Sequence, residues 1–121
     1  MPQIPPAFIP DFVTKLTRHF GVSCSFGIMD SGSIRPTQMQ VNNARVEKKI
    51  EDIKECPHFK AIIVDKEGRQ LDGHNTVVAA NRLGGLYLPV FAFPDLSIVE
   101  IINFAKNNYP LTTFKSLEDL G

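Results

Sequence analysis

The sequence predicts an α/β fold in which a small mixed sheet is packed by helices, and three observations support this prediction. Short runs of β-branched and other apolar residues over 61–64 and 86–93 indicate buried strands. Apolar residues at helical spacing over 12–20, 46–53 and 98–105 indicate amphipathic helices around those strands. Gly and Pro residues lie at the junctions of these segments, where turns are expected.

The composition limits the classes of partner. A length of 121 residues allows one domain with a single core. The 13 Lys and Arg residues balance the 13 Asp and Glu residues, so the formal net charge is zero. Proteins that bind nucleic acid through their overall charge are usually basic. Net charge therefore gives no support for DNA or RNA as a partner, although it does not bear on a local basic patch.

The cysteines and the apolar runs predict the compartment. Cys24 and Cys56 lie far apart in the sequence and show no C-x-x-C spacing, which is typical of reduced thiols in the cytosol. No apolar run approaches the roughly 20 residues that a membrane helix needs. The N-terminus also lacks the basic and apolar regions of a signal peptide. We therefore expect a cytoplasmic protein with no membrane partner.

The chain divides into three parts that we expect to form a single domain. Residues 1–32 supply an N-terminal arm and a helix packed on the core, residues 33–93 form the core, and residues 94–121 form a C-terminal helical extension. In the first part, Asp11 is the predicted N-cap of a helix that ends at Gly21. A strand over 22–29 follows, with alternating apolar residues that include Phe26 and Ile28.

The two flanking helices carry pronounced apolar stripes. The second one also begins with the Ser97 and Glu100 spacing of a capping box. Together the stripes supply more apolar surface than a chain of this size easily covers, which predicts that one of them lies in a homodimer interface. The stripes comprise Phe12, Leu16 and Phe20 in the first helix, and Ile98, Ile101 and Ile102 in the second.

The most informative segment runs from 61 to 85. A buried strand over 61–64 is followed by a turn that ends at Gly68, a brief second strand over 70–71, and a break at Asp72-Gly73. An Ala-rich helix then begins near His74 and ends at the Gly84-Gly85 pair. The polar run from Asp72 to Thr76 therefore lies at a strand-to-helix elbow. The unpaired N–H groups and the dipole of a helix favour an anion at such a position.

Each polar residue of this elbow has a functional and a structural interpretation. In the functional interpretation, His74 donates a hydrogen bond to a phosphate or acts as an acid/base group. In the structural interpretation, it caps the helix. Asp72 holds a metal ion in the first and is the N-cap in the second. If the site is functional, we expect the side chains of His74 and Thr76 to face a solvent-filled cleft.

Several motifs in this order resemble the ParB-like/sulfiredoxin superfamily, and in particular its small ParB-like nuclease-type group. The resemblance covers residues 33–93, about half of the chain. The motifs are Pro36-Thr37-Gln38, the helix with Val46-Glu47-Lys48-Lys49, the strand before Asp65, the elbow Asp72-Gly73-His74, the Ala-rich helix, and the strand with Leu88-Pro89-Val90.

The resemblance implies a compact α/β fold with a nucleotide phosphate at the N-terminus of the helix after the elbow. ATP or CTP with Mg²⁺ is the implied cofactor, and Asp65 and Asp72 are the nearby acids. His74 and Asp72 would be the catalytic residues. The residues that would bind the nucleotide or phosphate are Gly73, His74, Asn75, Thr76, Thr37, Gln38 and Lys49.

The sequence departs from the superfamily after His74. The elbow there usually continues with an arginine that grips phosphate, whereas this chain has Asn75-Thr76. Amides and hydroxyls bond phosphate oxygens but do not replace a bidentate cation. We therefore predict a domain that binds a nucleotide or phosphate at the elbow, with hydrolysis of a nucleotide or phosphodiester as a further activity. The alternative is a non-catalytic ParB-like module that binds a protein or associates with DNA. Either suits a phage or mobile-element protein.

Overall fold

The computed structural model describes residues 4, 6–37, 42–57 and 59–108. Within them, a three-stranded sheet is packed by four α-helices, which confirms the predicted α/β class. None of these helices combines the length and the apolar character that crossing a membrane requires. The strands are β1 (Ser25–Asp30), β2 (Ile62–Val64) and β3 (Tyr87–Ala92), and the helices are α1 (Ile9–Phe20), α2 (Asn43–Glu55), α3 (His74–Arg82) and α4 (Ile98–Asn108).

The sheet is mixed, and its strand order is β1-β3-β2. The central strand β3 runs antiparallel to β1, with Ile28 opposite Pro89, and parallel to β2, with Ile62 opposite Val90. Proline cannot donate to a strand ladder, and Pro89 lies immediately before the segment that pairs with β2. A proline is therefore compatible with the central strand at this position.

Helices cover both faces of β2. Ile63 contributes to a core cluster with α1 and α4, whereas Ile62 and Val64 contribute to a cluster with α3. Ala79 and Ala80 of α3 are fully buried, and Ala80 packs in the second cluster, as the sequence predicts for the helix after the elbow. Small side chains let a helix approach a sheet closely. Val77 and Ala80 therefore pack α3 against Ile62 and Val64 of β2.

The apolar stripes of α1 and α4 pack against each other, so the premise of the predicted dimer interface was wrong. Phe12, Leu16 and Ile101 are all fully buried in one cluster, and the Phe12 and Phe104 rings meet edge to face at a centroid distance of 5.9 Å. Ile4 of the N-terminal arm lies in the same cluster. The chain therefore covers most of these stripes itself, while Phe20 and Ile102 stay partly exposed.

Several predicted boundaries differ from the structure. Helix α1 begins at Ile9 rather than after Asp11, because Pro10 fits the first helical turn, where its missing N–H costs nothing. Residues 70–71 form no strand, and only isolated bridges join Arg35 to Arg69 and Val64 to Gln70. Asp11 is therefore not the N-cap of α1, whereas the predicted capping box of Ser97 and Glu100 at α4 is confirmed, and Asn42 caps α2. Residues 109–121 of the predicted C-terminal helical extension lie outside the described residues.

Strand β1 differs most from its prediction. It begins at Ser25, and the apolar side chains of Phe26 and Ile28 are 65% and 71% exposed. The period-2 alternation shows that these two residues share a face of the strand, but it does not show whether another element covers that face. In the described part of the chain, none does.

Candidate functional site

The elbow before α3 is built around Gly73. This residue has φ +82°, the left-handed conformation that residues with a side chain rarely adopt, and α3 begins directly after it at His74. A Cβ at this position would lie 3.4 Å from Cγ1 of Ile62. That distance is an ordinary van der Waals contact, so it is the backbone conformation that requires glycine, which confirms the predicted place of Gly73 at the turn.

The first turn of α3 presents main-chain N–H groups that no side chain caps. Gly73 occupies the N-cap position and has no side chain to accept a hydrogen bond, and the first intrahelical bond runs from the N–H of Val77 to the carbonyl oxygen of Gly73. Across the described residues, the N–H groups of His74, Asn75 and Thr76 have no hydrogen-bond acceptor. These three groups carry the positive end of the helix dipole.

His74 contacts Thr37, which lies 37 positions earlier in the sequence. Nε2 of His74 is 3.0 Å from the main-chain N of Thr37 and 3.0 Å from its Oγ1. The Thr37 hydroxyl donates its proton to the carbonyl oxygen of Gln70 at 2.8 Å. A main-chain N–H can only donate, so Nε2 must accept, and the ring is neutral with its proton on Nδ1. Burial lowers the pKa of His74, against an opposing effect of the Asp72 charge.

The predicted orientation of His74 and Thr76 into an open cleft was wrong. The exposed fraction of His74 is 6%, and Thr76 is also buried. The ring of His74 instead holds the segment that carries Thr37 against the elbow. The structure thus brings Thr37, Gly73 and His74 together as the sequence predicts, but in contact with one another.

Asp72 makes three charge-assisted contacts within the chain. Its Oδ1 accepts the N–H of Gly73 at 2.6 Å, while its Oδ2 accepts the N–H of Ile4 at 3.0 Å and pairs with Nζ of Lys60 at 2.7 Å. Lys60 also donates to the carbonyl oxygen of Ile4 at 3.3 Å. Asp72 and Lys60 therefore hold the backbone of the N-terminal arm. Sequence reasoning gave no role to Lys60, since nothing in the sequence links it to residue 4.

These residues do not fit a magnesium site. Mg²⁺ prefers octahedral oxygen ligands, and both oxygens of Asp72 already accept hydrogen bonds. The second nearby acid, Asp65, is buried and accepts the N–H groups of Glu67, Arg69 and Ile98 at 2.8 Å each. No group of three or more His, Cys, Asp or Glu residues suited to a metal occurs in the described segments. We derive no step through a metal ion.

The remaining predicted site residues occupy different surroundings. Asn75 is half-buried in the first turn of α3, beside the unpaired N–H groups. Lys49 is exposed on α2, and no hydrogen bond or ion pair among the described residues joins it to the elbow. Gln38 lies outside the described residues. Within the first turn of α3, Asn75 is therefore the predicted site residue that is not buried, and it lies beside main-chain N–H groups without an acceptor.

A comparison with solved structures identifies the fold. The chain is similar to a Pnob8-like ParB-N domain, solved in its C2221 form, with a TM-score of 0.52 and 16% identity over 82% of this chain. The fold is ParB-N-like. The resemblance predicted from the motifs is thus confirmed at the level of the fold, and the low identity shows nothing beyond it.

The ParB-N-like domain spans 46% of the length of the chain that it matches. No family model matches its sequence. No curated protein matches it either.

Proposed function

We propose that this ParB-N-like domain binds the phosphate of a nucleotide or of another phosphorylated ligand at the first turn of α3. The observation that carries the proposal is the uncapped set of N–H groups at 74–76, beside the left-handed Gly73. Phosphate oxygens are good acceptors for such groups, and the helix dipole favours their negative charge. The resemblance implies a nucleotide phosphate at this same helix end.

In this proposal the buried side chains of the elbow shape the site without contacting the ligand. His74 fixes the segment at Thr37, and Asp72 fixes the chain entering Gly73 through its contact with the Gly73 N–H. The contacts to phosphate come from the main-chain N–H groups and from the amide of Asn75. Because no arginine follows His74, we expect weaker binding than a bidentate guanidinium gives.

We propose binding without hydrolysis. A general base needs a free lone pair near the attacking water, and Nε2 of His74 is already accepting the Thr37 N–H. The carboxylate of Asp72 is paired with Lys60. Hydrolase and nuclease activities stay predictions from the resemblance, and release of inorganic phosphate from ATP, CTP and GTP above the buffer rate would contradict this part of the proposal.

A second candidate function is a non-catalytic module that binds a macromolecule. The observation that favours it is the exposed apolar pair Phe26 and Ile28 on β1, which the core does not use. This candidate predicts that no nucleotide raises the melting temperature of the domain. The two candidates therefore separate in a panel of ATP, CTP, GTP and nucleoside monophosphates, each with and without Mg²⁺. A ligand at a hundred times its dissociation constant should stabilise the fold by about 2.7 kcal/mol.

Asn75→Asp tests the position of the site. A carboxylate in the first turn interacts favourably with the helix dipole, so it should stabilise the empty domain by about 0.3–1 kcal/mol. The same charge should repel phosphate, so the stabilisation by nucleotide should be lost. Asn103→Asp is the matched control, because it makes the same change at an exposed position on α4. If Asn75→Asp binds nucleotide as well as Asn103→Asp does, the phosphate is not at α3.

A further inference from the structure

We infer that strand β1 is the interface through which two copies of this chain associate, edge to edge and antiparallel. The surface is an apolar strip that comprises Phe26, Ile28, Tyr87 and Pro89. The register of β1 with β3 places these four residues on one face of the sheet, since residues directly opposite each other share a face. Phe26, Ile28 and Tyr87 are 65%, 71% and 69% exposed.

The free edge of β1 is the second part of the argument. Within the described residues, β1 pairs only with β3, so the N–H and C=O groups of its other edge have no strand partner. Natural proteins protect such edges with lysine, proline, bulges or covering elements. The six residues Ser-Phe-Gly-Ile-Met-Asp contain neither lysine nor proline. An unprotected, exposed and apolar edge is suited to pairing with another strand.

The sequence of β1 is complementary to itself. A two-fold axis perpendicular to the sheet at Gly27 places Phe26 of one copy opposite Ile28 of the other, on the same face, and repeats that pair symmetrically. The one charged residue of the strand, Asp30, then lies opposite position 24, which is an uncharged cysteine. Gly27 carries no side chain beside the axis, and the space at its Cβ position is open within the chain. This match favours a second copy as the occupant.

The area buried by this contact predicts the affinity of the dimer. A stable protein interface buries roughly 800 Å² on each partner, and one six-residue strand with its strip provides less. We therefore expect a reversible dimer whose population rises with concentration. The resulting sheet would have six strands in the order β2-β3-β1 followed by β1-β3-β2 of the second copy.

Sedimentation equilibrium tests the surface over about 10–500 μM protein. Wild type should shift from monomer to dimer, whereas Ile28→Lys should raise the dimer dissociation constant at least tenfold, because the change occurs twice in each dimer and lysine protects an edge. Val99→Lys is the matched control, since Val99 is 61% exposed on α4, away from β1. Two results would overturn the proposal. One is a wild type that stays monomeric at every concentration, and the other is a dimer dissociation constant that Val99→Lys raises as much as Ile28→Lys does.

A cross-link tests the register. Two residues opposite each other in an antiparallel pair have Cα atoms about 4.5–5.5 Å apart, which is within the range that a disulfide spans. In a Cys24→Ser, Cys56→Ser background, Gly27→Cys should therefore oxidise to a covalent dimer faster than Val99→Cys does. Equal rates for the two variants would contradict a two-fold axis at Gly27.

Discussion

At the scale of the residue, His74 joins two segments that the sequence separates widely. Its neutral ring accepts the N–H of Thr37, while Thr37 in turn donates its hydroxyl to the carbonyl of Gln70. The bond needs an unprotonated Nε2, so the contact depends on pH. A residue that the motif marks as functional therefore stabilises the fold around the proposed site.

Stability should depend on pH through His74. Burial lowers the pKa of His74 below its ordinary value of about 6.5, so the unfolded chain binds this proton at a higher pH than the folded chain does. The stabilisation is complete above pH 6.5 and is lost as the pH falls from 6.5 towards the folded-state pKa. Urea unfolding of wild type and His74→Gln between pH 5 and pH 8 should show a smaller pH dependence in the variant. A His74→Gln variant that loses stability with pH as steeply as wild type would show that the Thr37 contact does not depend on the charge of the ring.

Gly73→Ala should destabilise the domain by about 1–3 kcal/mol, because a side chain is strained at a positive φ. Gly27→Ala is the control, since Gly27 lies in β1 without a positive φ and with open space at Cβ. Replacing a strand glycine by alanine should leave stability unchanged or raise it by up to about 1 kcal/mol. Denaturant unfolding measures both variants, and an equal decrease in their free energies of unfolding would contradict the left-handed elbow.

At the scale of the element, the start of α4 depends on a loop that follows β2. Asp65 accepts the N–H of Ile98 through Oδ2, and its Oδ1 accepts two N–H groups of its own turn. The capping box of Ser97 and Glu100 adds a reciprocal pair of bonds at the same helix end. The turn after β2 and the N-terminus of α4 are therefore fixed together.

Asp65→Ala should consequently cost at least about 3 kcal/mol, since three N–H groups lose their acceptor. Ser97→Ala removes only one part of the capping box and should cost about 0.5–2 kcal/mol. Asp52→Ala, at an exposed position on α2, should change stability by less than about 0.5 kcal/mol. Urea unfolding would measure the free energy of unfolding of the three variants. If Asp65→Ala lowers it no more than Asp52→Ala does, the carboxylate does not anchor α4.

At the scale of the whole molecule, the N-terminal arm contributes its described residue Ile4 to the core. Ile4 is 1% exposed among residues of α1 and α4, and both polar groups of its backbone bond to the Asp72 and Lys60 pair. The predicted division into residues 1–32, 33–93 and 94–121 within a single domain stays a prediction. Parts of all three segments meet in one cluster.

Ile4→Ala should thus cost about 2–5 kcal/mol, as expected for truncation of a core side chain. Ile28→Ala removes the same atoms from an exposed position and should cost less than about 0.5 kcal/mol when measured on the monomer. Thermal unfolding of both variants at low concentration compares the two. Similar melting temperatures would mean that the arm is not docked.

Local signals account for most of what the sequence predicted. The glycine at the elbow and the Ser97 and Glu100 box each follow from the chemistry of a few neighbouring residues. The contacts of His74 with Thr37 and of Asp72 with Lys60 join residues that no pattern relates. The same limit explains β1, where alternation identifies the shared face of Phe26 and Ile28 but not whether a helix covers it.

The central claim is that phosphate binds at the first turn of α3, and the most direct test is a titration of the ¹⁵N-labelled domain followed through its amide resonances. Addition of ATP or CTP, with pyrophosphate as a base-free comparison, should shift the amides of His74, Asn75 and Thr76 more than any others. Asn75→Asp should abolish those shifts. Amide shifts that are absent at saturating ligand, or that occur elsewhere while these three stay unchanged, would contradict the account.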